Sequence, residues 1–285
     1  MRMPSLRARW LAQHIRGLRD DQGLTLKYVA AHLGMDFSKL ARFERGDQPF
    51  TRDQVIALLD LYRAHDPDER ATLLRLAQAT WRPQWAADFD GAVPDESFGD
   101  LLWLESEATQ IRCYSPLSIP ELLHSAGYAE KRARETGIAA SVEHVAARVR
   151  LTTERQQILS RAPTPAELTV VLDECVLKHP DGDQRMWDGQ IENLRRAAAL
   201  PNVHVRVLPA GRPRPPGVEG GFAVFTLPQP SPLVVHIPYL GGRLFLEHSH
   251  DHVNVFDRLY RSAADADESA SLLELIPPSP TQIER

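Results

Sequence analysis

The chain has little of what would place it outside the cell or in a membrane. Its only two cysteines, Cys113 and Cys175, rule out a disulfide framework, and their spacing fits no metal site. No apolar run approaches the roughly 18–20 residues needed to cross a bilayer. The opening MRMPSLRARWLAQHIRGLRDD lacks the apolar core and small-residue cleavage site of a secretory signal, so the expected location is the cytoplasm. The second half contains no G-x-S-x-G, H-E-x-x-H, P-loop or G-x-G-x-x-G motif, so neither an enzyme nor a cofactor is expected. Positive charge is missing as well: 33 Lys and Arg face 38 Asp and Glu, for a net charge of −5.

What is present is unevenly spread. The 285 residues suffice for two domains. Residues 1–65 hold 11 basic and 7 acidic side chains, and the rest hold 22 against 31. A basic head on an acidic body suits a small DNA-contacting domain joined to one that does not touch DNA.

The head, residues 1–80, reads as all-helical. Trp10, Leu11, Ile15 and Leu18 recur at helical spacing, and Gly23 ends the segment. Thr25 caps a second helix, LKYVAAHL, with Leu26, Val29, Ala30 and Leu33 on its apolar face. Gly34 and Met35 turn the chain, and Asp36 is the expected N-cap of a third helix, FSKLARFE, closed by Gly46. Leu40 and Phe43 face the core of that helix, leaving Phe37, Ser38, Lys39, Arg42 and Arg45 outward. A fourth helix follows Thr51 with Val55, Leu58, Leu59 and Tyr62 inward, and a fifth starts at Asp66. Two short helices and a third with small or basic residues at its exposed start meet the needs of major-groove reading.

The segment LTLKYVAAHLGMDFSKLARFERGDQPF resembles the lambda-repressor/Cro-like (XRE) family through its FERG ending and the spacing of Gly34 to Gly46. The resemblance makes Phe37, Ser38 and Arg42 candidates for base reading, and Lys27, Lys39 and Arg45 candidates for phosphate contacts. Phe37 could meet a thymine methyl or pack on its neighbours. The family also pairs a first-helix arginine with the glutamate before the closing glycine, here Arg19 with Glu44.

Residues 81–96, rich in Asp, Gly and Pro, read as a connector, with Trp81, Trp85, Phe89 and Phe98 available to dock the two domains. Residues 97–276 read as a mixed α/β (α+β) domain and 277–285 as a Pro-rich tail. Helical spacing is expected over 97–113, 120–135 and 141–161. Strand-like runs follow: ELTVVLDECVL, VHVRVLP, FAVFTL, LVVHIPYL and RLFLE. The helix DQRMWDGQIENLRRAAAL between the first two predicts their parallel pairing. The later strands, on short connections, are expected to be antiparallel, and two helices near 250–262 and 267–276 close the fold.

Through LESEATQIRCYSPLSIPELLHSAGYA, RVRLTTERQQILSR, VVLDECVL and QIENLRRAAALPNVHVRVLP, this half resembles the effector domain of actinobacterial WhiJ-like regulators. That implies transcription control, in some members counteracted by a small BldB-type protein. Arg148 and Arg155 lie two helical turns apart, and Glu105 and Glu174, with Glu107 and Asp173, are the carboxylates available to them. Such a group is either a pocket for an anionic small-molecule effector or a structural ion-pair network. Asp173 and Glu174 are expected on opposite faces of one strand. His248, His250 and His252 are expected to open a helix rather than hold a metal. The segment GRPRPPG, residues 211–217, reads as a solvated loop. Double-stranded operator DNA, a second copy of the chain in a homodimer, and an effector molecule or antagonist protein are the expected partners. An enzyme or toxin-like effector with an autoregulatory DNA-binding head is the alternative.

Overall fold

The computed structural model describes residues 5–81, 89, 92–93, 95–135, 141–216, 218–228 and 232–274. The chain divides into two compact units, residues 1–103 and 104–285. Of the expected docking cluster, Trp85 and the side chain of Trp81 lie outside what is described, Phe89 is half-buried and Phe98 is buried.

The first unit is helical: α1 (Leu6–Asp21), α2 (Leu26–His32), α3 (Phe37–Glu44), α4 (Arg52–Leu61) and α5 (Pro67–Trp81), with the start of α6 (Glu96–Glu107). The helix starts follow local chemistry. Ser5, Thr25 and Thr51 accept from the backbone N–H of Ala8, Tyr28 and Gln54, and Gln54 returns the bond to Thr51 as a capping box. Asp36 holds the cap position of α3 without a side-chain bond. Gly34 and Gly46 both adopt positive φ, and a Cβ on Gly46 would come within 3.1 Å of the Arg9 backbone. The turn after α3 is therefore glycine by both conformation and space. Leu11, Ile15, Val29, Leu40, Val55, Leu58 and Leu59 are fully buried. Trp10 meets Trp103 edge-on at 5.4 Å, and Phe43 stacks on Phe50 at 5.0 Å.

The second unit is a six-stranded mixed sheet with helices, the α+β class expected. In chain order it holds β1 (Gln110–Ser115), α7 (Ala126–Glu135), α8 (Val142–Gln156), β2 (Glu167–Asp173), α9 (Glu174–Lys178), α10 (Gln184–Ala198), β3 (Val203–Leu208), β4 (Phe222–Thr226), β5 (Val234–Tyr239), β6 (Gly242–Glu247), α11 (His250–Ser262) and α12 (Ala266–Glu274). The strand order is β3-β2-β1-β4-β5-β6. The first three are mutually parallel and the last three join β1 in antiparallel fashion. The expected parallel pairing is the β2–β3 pair.

Two expectations are corrected. Helical spacing over 97–113 ends at Glu107, and Gln110–Ser115 is the strand that joins the parallel and antiparallel halves. ELTVVLDECVL is a strand only as far as Asp173; Asp173 accepts from the Cys175 N–H as the N-cap of α9. Asp173 and Glu174 are thus a cap and a helical residue, not neighbours on one strand. The described part of the GRPRPPG loop is largely exposed, as expected, with Arg214 bonded to Asp173 at 2.5 and 3.0 Å and Arg212 reaching Glu268 at 3.1 Å.

One sheet face packs Tyr114, Phe222, Val224 and Val235 on Phe256 and Leu259 of α11. Residues directly opposite on neighbouring strands share a face, so Cys113, Ala223, His236 and Phe245 line the other one.

Candidate DNA-binding interface and effector-unit network

Helix α3 is amphipathic. Leu40, Phe43 and Glu44 are buried, whereas Phe37, Ser38, Lys39, Arg42 and Arg45 are exposed. Phe37 keeps 55% of its surface in solvent. Lys39 lies 5.9 Å from the Phe43 ring centroid, and Arg45 is bridged to Asp47 at 2.9 Å. Lys27 is exposed in the first turn of α2, beside Tyr28, which is 54% exposed and stacked on His32. Tyr28 is a surface aromatic that the sequence reading passed over. Such a face presents charge-assisted donors and one apolar ring to a groove wide enough for a single helix.

The orientation of α3 is fixed from beneath. Arg19 of α1 donates to both Glu44 carboxylate oxygens at 2.8 and 3.0 Å and to the Leu24 carbonyl at 2.8 Å. The bond to Glu44 is the main reason the Arg19 pKa is raised. A second buried clamp had no sequence signal. The Asp100 carboxylate accepts from the Leu6 N–H and from Arg7 Nε, each at 2.7 Å, and Arg7 also donates to the Ala79 carbonyl. Burial raises the Asp100 pKa, against the pull of Arg7.

In the second unit Arg155 of α8 donates to both Glu105 oxygens at 2.7 and 2.8 Å and also to Glu121. Arg148 lies 3.8 Å from Glu121. The structure thus brings together Arg148, Arg155 and Glu105. Glu174 is engaged elsewhere, with Lys178 at 2.8 Å and the Ala210 N–H at 2.9 Å. Glu121, in the 3-10 turn Glu121–Leu123, takes the place expected for a second carboxylate. Burial raises the Glu105 pKa. For Glu121, Arg155 and then Arg148 outweigh burial, and its pKa falls to about 2. Burial, with the charge of Arg155, lowers the Arg148 pKa against the pull of Glu121, and burial followed by the charge of Glu105 lifts the Cys113 thiol to about 12. Two buried histidines border this network. His124, bonded to the Ile119 carbonyl at 2.8 Å, is depressed to about 4 by burial. His236 is depressed to about 3 by burial and then by Arg243 and Arg155, and its Nε2 is buried with no hydrogen-bond partner. With Nε, Nη1 and Nη2 of Arg155 all donating to carboxylates, the network is organised for holding α6, α8 and the 3-10 turn together.

Residues 98–275, more than half of the chain, match the family described as Domain of unknown function (DUF5753). The chain belongs to this family. Residues 10–73 match a second family, described as Helix-turn-helix domain, so the chain also carries a DNA-binding helix-turn-helix domain of XRE-like pattern. No curated protein and no solved structure matches the chain. The DUF5753 region contains the whole Arg148–Arg155–Glu105–Glu121 network, and it also includes Asp100, which the contacts assign to the first unit. Among the described residues no helix is long and apolar enough to cross a membrane.

Proposed function

We propose that the protein is a transcriptional regulator that binds a palindromic operator as a homodimer, with α3 of each copy in a major groove. Phe37, Ser38 and Arg42 are assigned to base edges, and Lys27, Lys39 and Arg45 to phosphates. The observation that carries this reading is the division of α3, whose Leu40 and Phe43 are buried while its basic and small residues face solvent. The chain performs no catalysis in this reading. Its DUF5753 region controls occupancy by taking up a small-molecule effector or a small antagonist protein. The resemblance to WhiJ-like regulators supports a BldB-type antagonist and a cytoplasmic setting. Dimerisation follows from the geometry of such readers, since two heads one helical turn apart require a two-fold site.

Selection of duplexes from a random pool by the full chain, with sedimentation of the selected complex, tests the reading. An inverted repeat bound by two copies is expected. Enrichment of no sequence above the starting pool, or of a single half-site bound by one copy, overturns it.

A further inference from the structure

Strand β3 is an edge of the sheet, and its hydrogen-bonding parity follows from one contact. The Leu168 N–H donates to the Asn202 carbonyl at 2.8 Å, in register with Leu168 opposite Val203. In a parallel pair this directs the backbone groups of His204 and Arg206 toward β2 and those of Val203, Val205 and Val207 outward. Val207 is covered, because its N–H donates to Ser269 Oγ at 3.1 Å and its carbonyl accepts from the Ala264 N–H at 2.8 Å. The Val203 N–H is taken by the Leu200 carbonyl. No described residue hydrogen-bonds the outward N–H and C=O of Val205 or the C=O of Val203.

These groups face a cavity of about 270 Å³ between α10 and α12. Small side chains make room for it: Ala198 on α10, and Ala266 and Ala270 on α12, with Leu273 as the apolar end. Its charged lining is Arg195 and Arg206 against the single carboxylate of Glu274, with His204 beside them 4.0 Å from Glu167. Arg206 is occupied by Tyr260 and the Ala264 carbonyl; Arg195 donates from Nη2 to the Leu273 carbonyl and lies 3.6 Å from Glu192, while its Nε is buried without a partner. An exposed strand edge with free donors and acceptors is a template for another chain. Here the flanking helices leave space for a few residues only.

We infer that this groove is a strand-addition site for a short, extended, acidic segment of another protein. The segment's backbone pairs with Val205 and the Val203 carbonyl, its small apolar side chains enter between the alanines, and a carboxylate reaches Arg195. The unpaired backbone of Val205 calls for a peptide as the occupant, and the excess of basic side chains selects an acidic one. Binding here is independent of operator recognition, and the test involves no DNA.

The probe is acetyl-Val-Glu-Val-Glu-Val-amide, titrated into the full chain by calorimetry beside its backbone N-methylated form and its Val-Lys-Val-Lys-Val counterpart. Saturable binding of the acidic peptide is expected, about tenfold or more weaker for the other two. Ala270→Phe fills the cavity from an exposed helix position, and Val205→Pro removes an N–H that the ladder does not use. Each is expected to abolish binding; Ala270→Phe keeps circular dichroism and the melting temperature close to wild type, whereas Val205→Pro also loses a buried valine side chain and lowers the melting temperature. Equal binding of the N-methylated peptide, unchanged affinity in Ala270→Phe, or no binding by wild type overturns the inference. So does binding that emerges only after residues 275–285 are removed, which would assign the groove to the chain's own end.

Discussion

Acidification from pH 7 to pH 5 should destabilise the second unit through His124 and His236. Both are folded as neutral imidazoles, with pKa depressed to about 4 and about 3, chiefly by burial. The charges around them are Glu121, Arg155 and Arg132 for His124, and Arg243, Arg155 and Glu121 for His236. In the unfolded chain a histidine takes up its proton near pH 6.5. Between that value and the folded pKa the unfolded state binds more protons, so stability falls as pH falls. From pH 7 to 5 each histidine contributes a loss of about 2 kcal/mol, and the pair about 4 kcal/mol. Glu121 adds nothing until pH drops below its unfolded value of about 4.5, where the stability that its depressed pKa confers begins to be lost. Glu105, whose pKa burial raises, acts in the opposite sense. The stability tied to its protonated form is present at low pH and is lost as pH rises through its folded pKa. Urea unfolding of the full chain at half-unit pH steps, followed by circular dichroism and by the fluorescence of its five tryptophans, of which Trp187 lies in the second unit, measures the slope. His236→Leu removes one titrating group and an unpartnered buried nitrogen together. It should halve the slope and leave the variant about 2 kcal/mol more stable than wild type at pH 5. Unchanged urea midpoints between pH 7 and 5, or a full slope retained in His236→Leu, would refute the reasoning. So would proton NMR showing either imidazole titrating near pH 6.5.

Three further outcomes concern the DNA-binding unit. Arg42→Ala should weaken binding to the selected operator by about 1–3 kcal/mol, with unchanged circular dichroism, because one bidentate base contact is worth that much; footprinting and fluorescence anisotropy measure it. Lys27→Ala should weaken binding about equally on operator and random duplex and reduce the salt-dependence slope by roughly one. Glu44→Ala removes two charge-assisted bonds from Arg19, whose side chain is only 11% exposed, and leaves it Asp20 at 2.7 Å and the Leu24 carbonyl. It should cost about 1.5–3 kcal/mol of stability in the first unit, read by thermal melting.

The helical head was legible because its punctuation is local. Thr25, Gly34, Thr51 and Gly46 act on the residues beside them, so α2, α3 and α4 can be bounded without knowing what they pack against. In the second unit the same approach failed where tertiary packing decides. Gln110–Ser115 is a central strand with neighbours on both sides, and following Glu107 it continues an apolar spacing that also fits a helix. Only Ile111 and Tyr114 of its six residues are buried, so no period-two alternation marks it. Asp173 halts a strand and starts a helix with one carboxylate, a change of direction invisible in a run of apolar residues. In the network, Arg155 and Glu105 could be named from helical spacing and charge balance. Glu121 could not, because it sits in a single 3-10 turn after Pro120. Asp100 reaches Arg7 across more than ninety residues, and no spacing rule connects such a pair.

That last clamp decides where the protein can be cut or recombined. The helix-turn-helix match runs from residue 10 to 73 and leaves out both Arg7 and Asp100. A fragment made to those limits loses the first turn of α1, and one made from residues 1–81 keeps Arg7 but strips it of its carboxylate. Arg7 would then be a buried charged side chain without the Asp100 carboxylate that receives its Nε. A transplantable head from this chain has to carry Asp100, which lies inside the DUF5753 match. Chimeras joined at the conventional family limit should express poorly, and those that keep Arg7 together with Asp100 should express better.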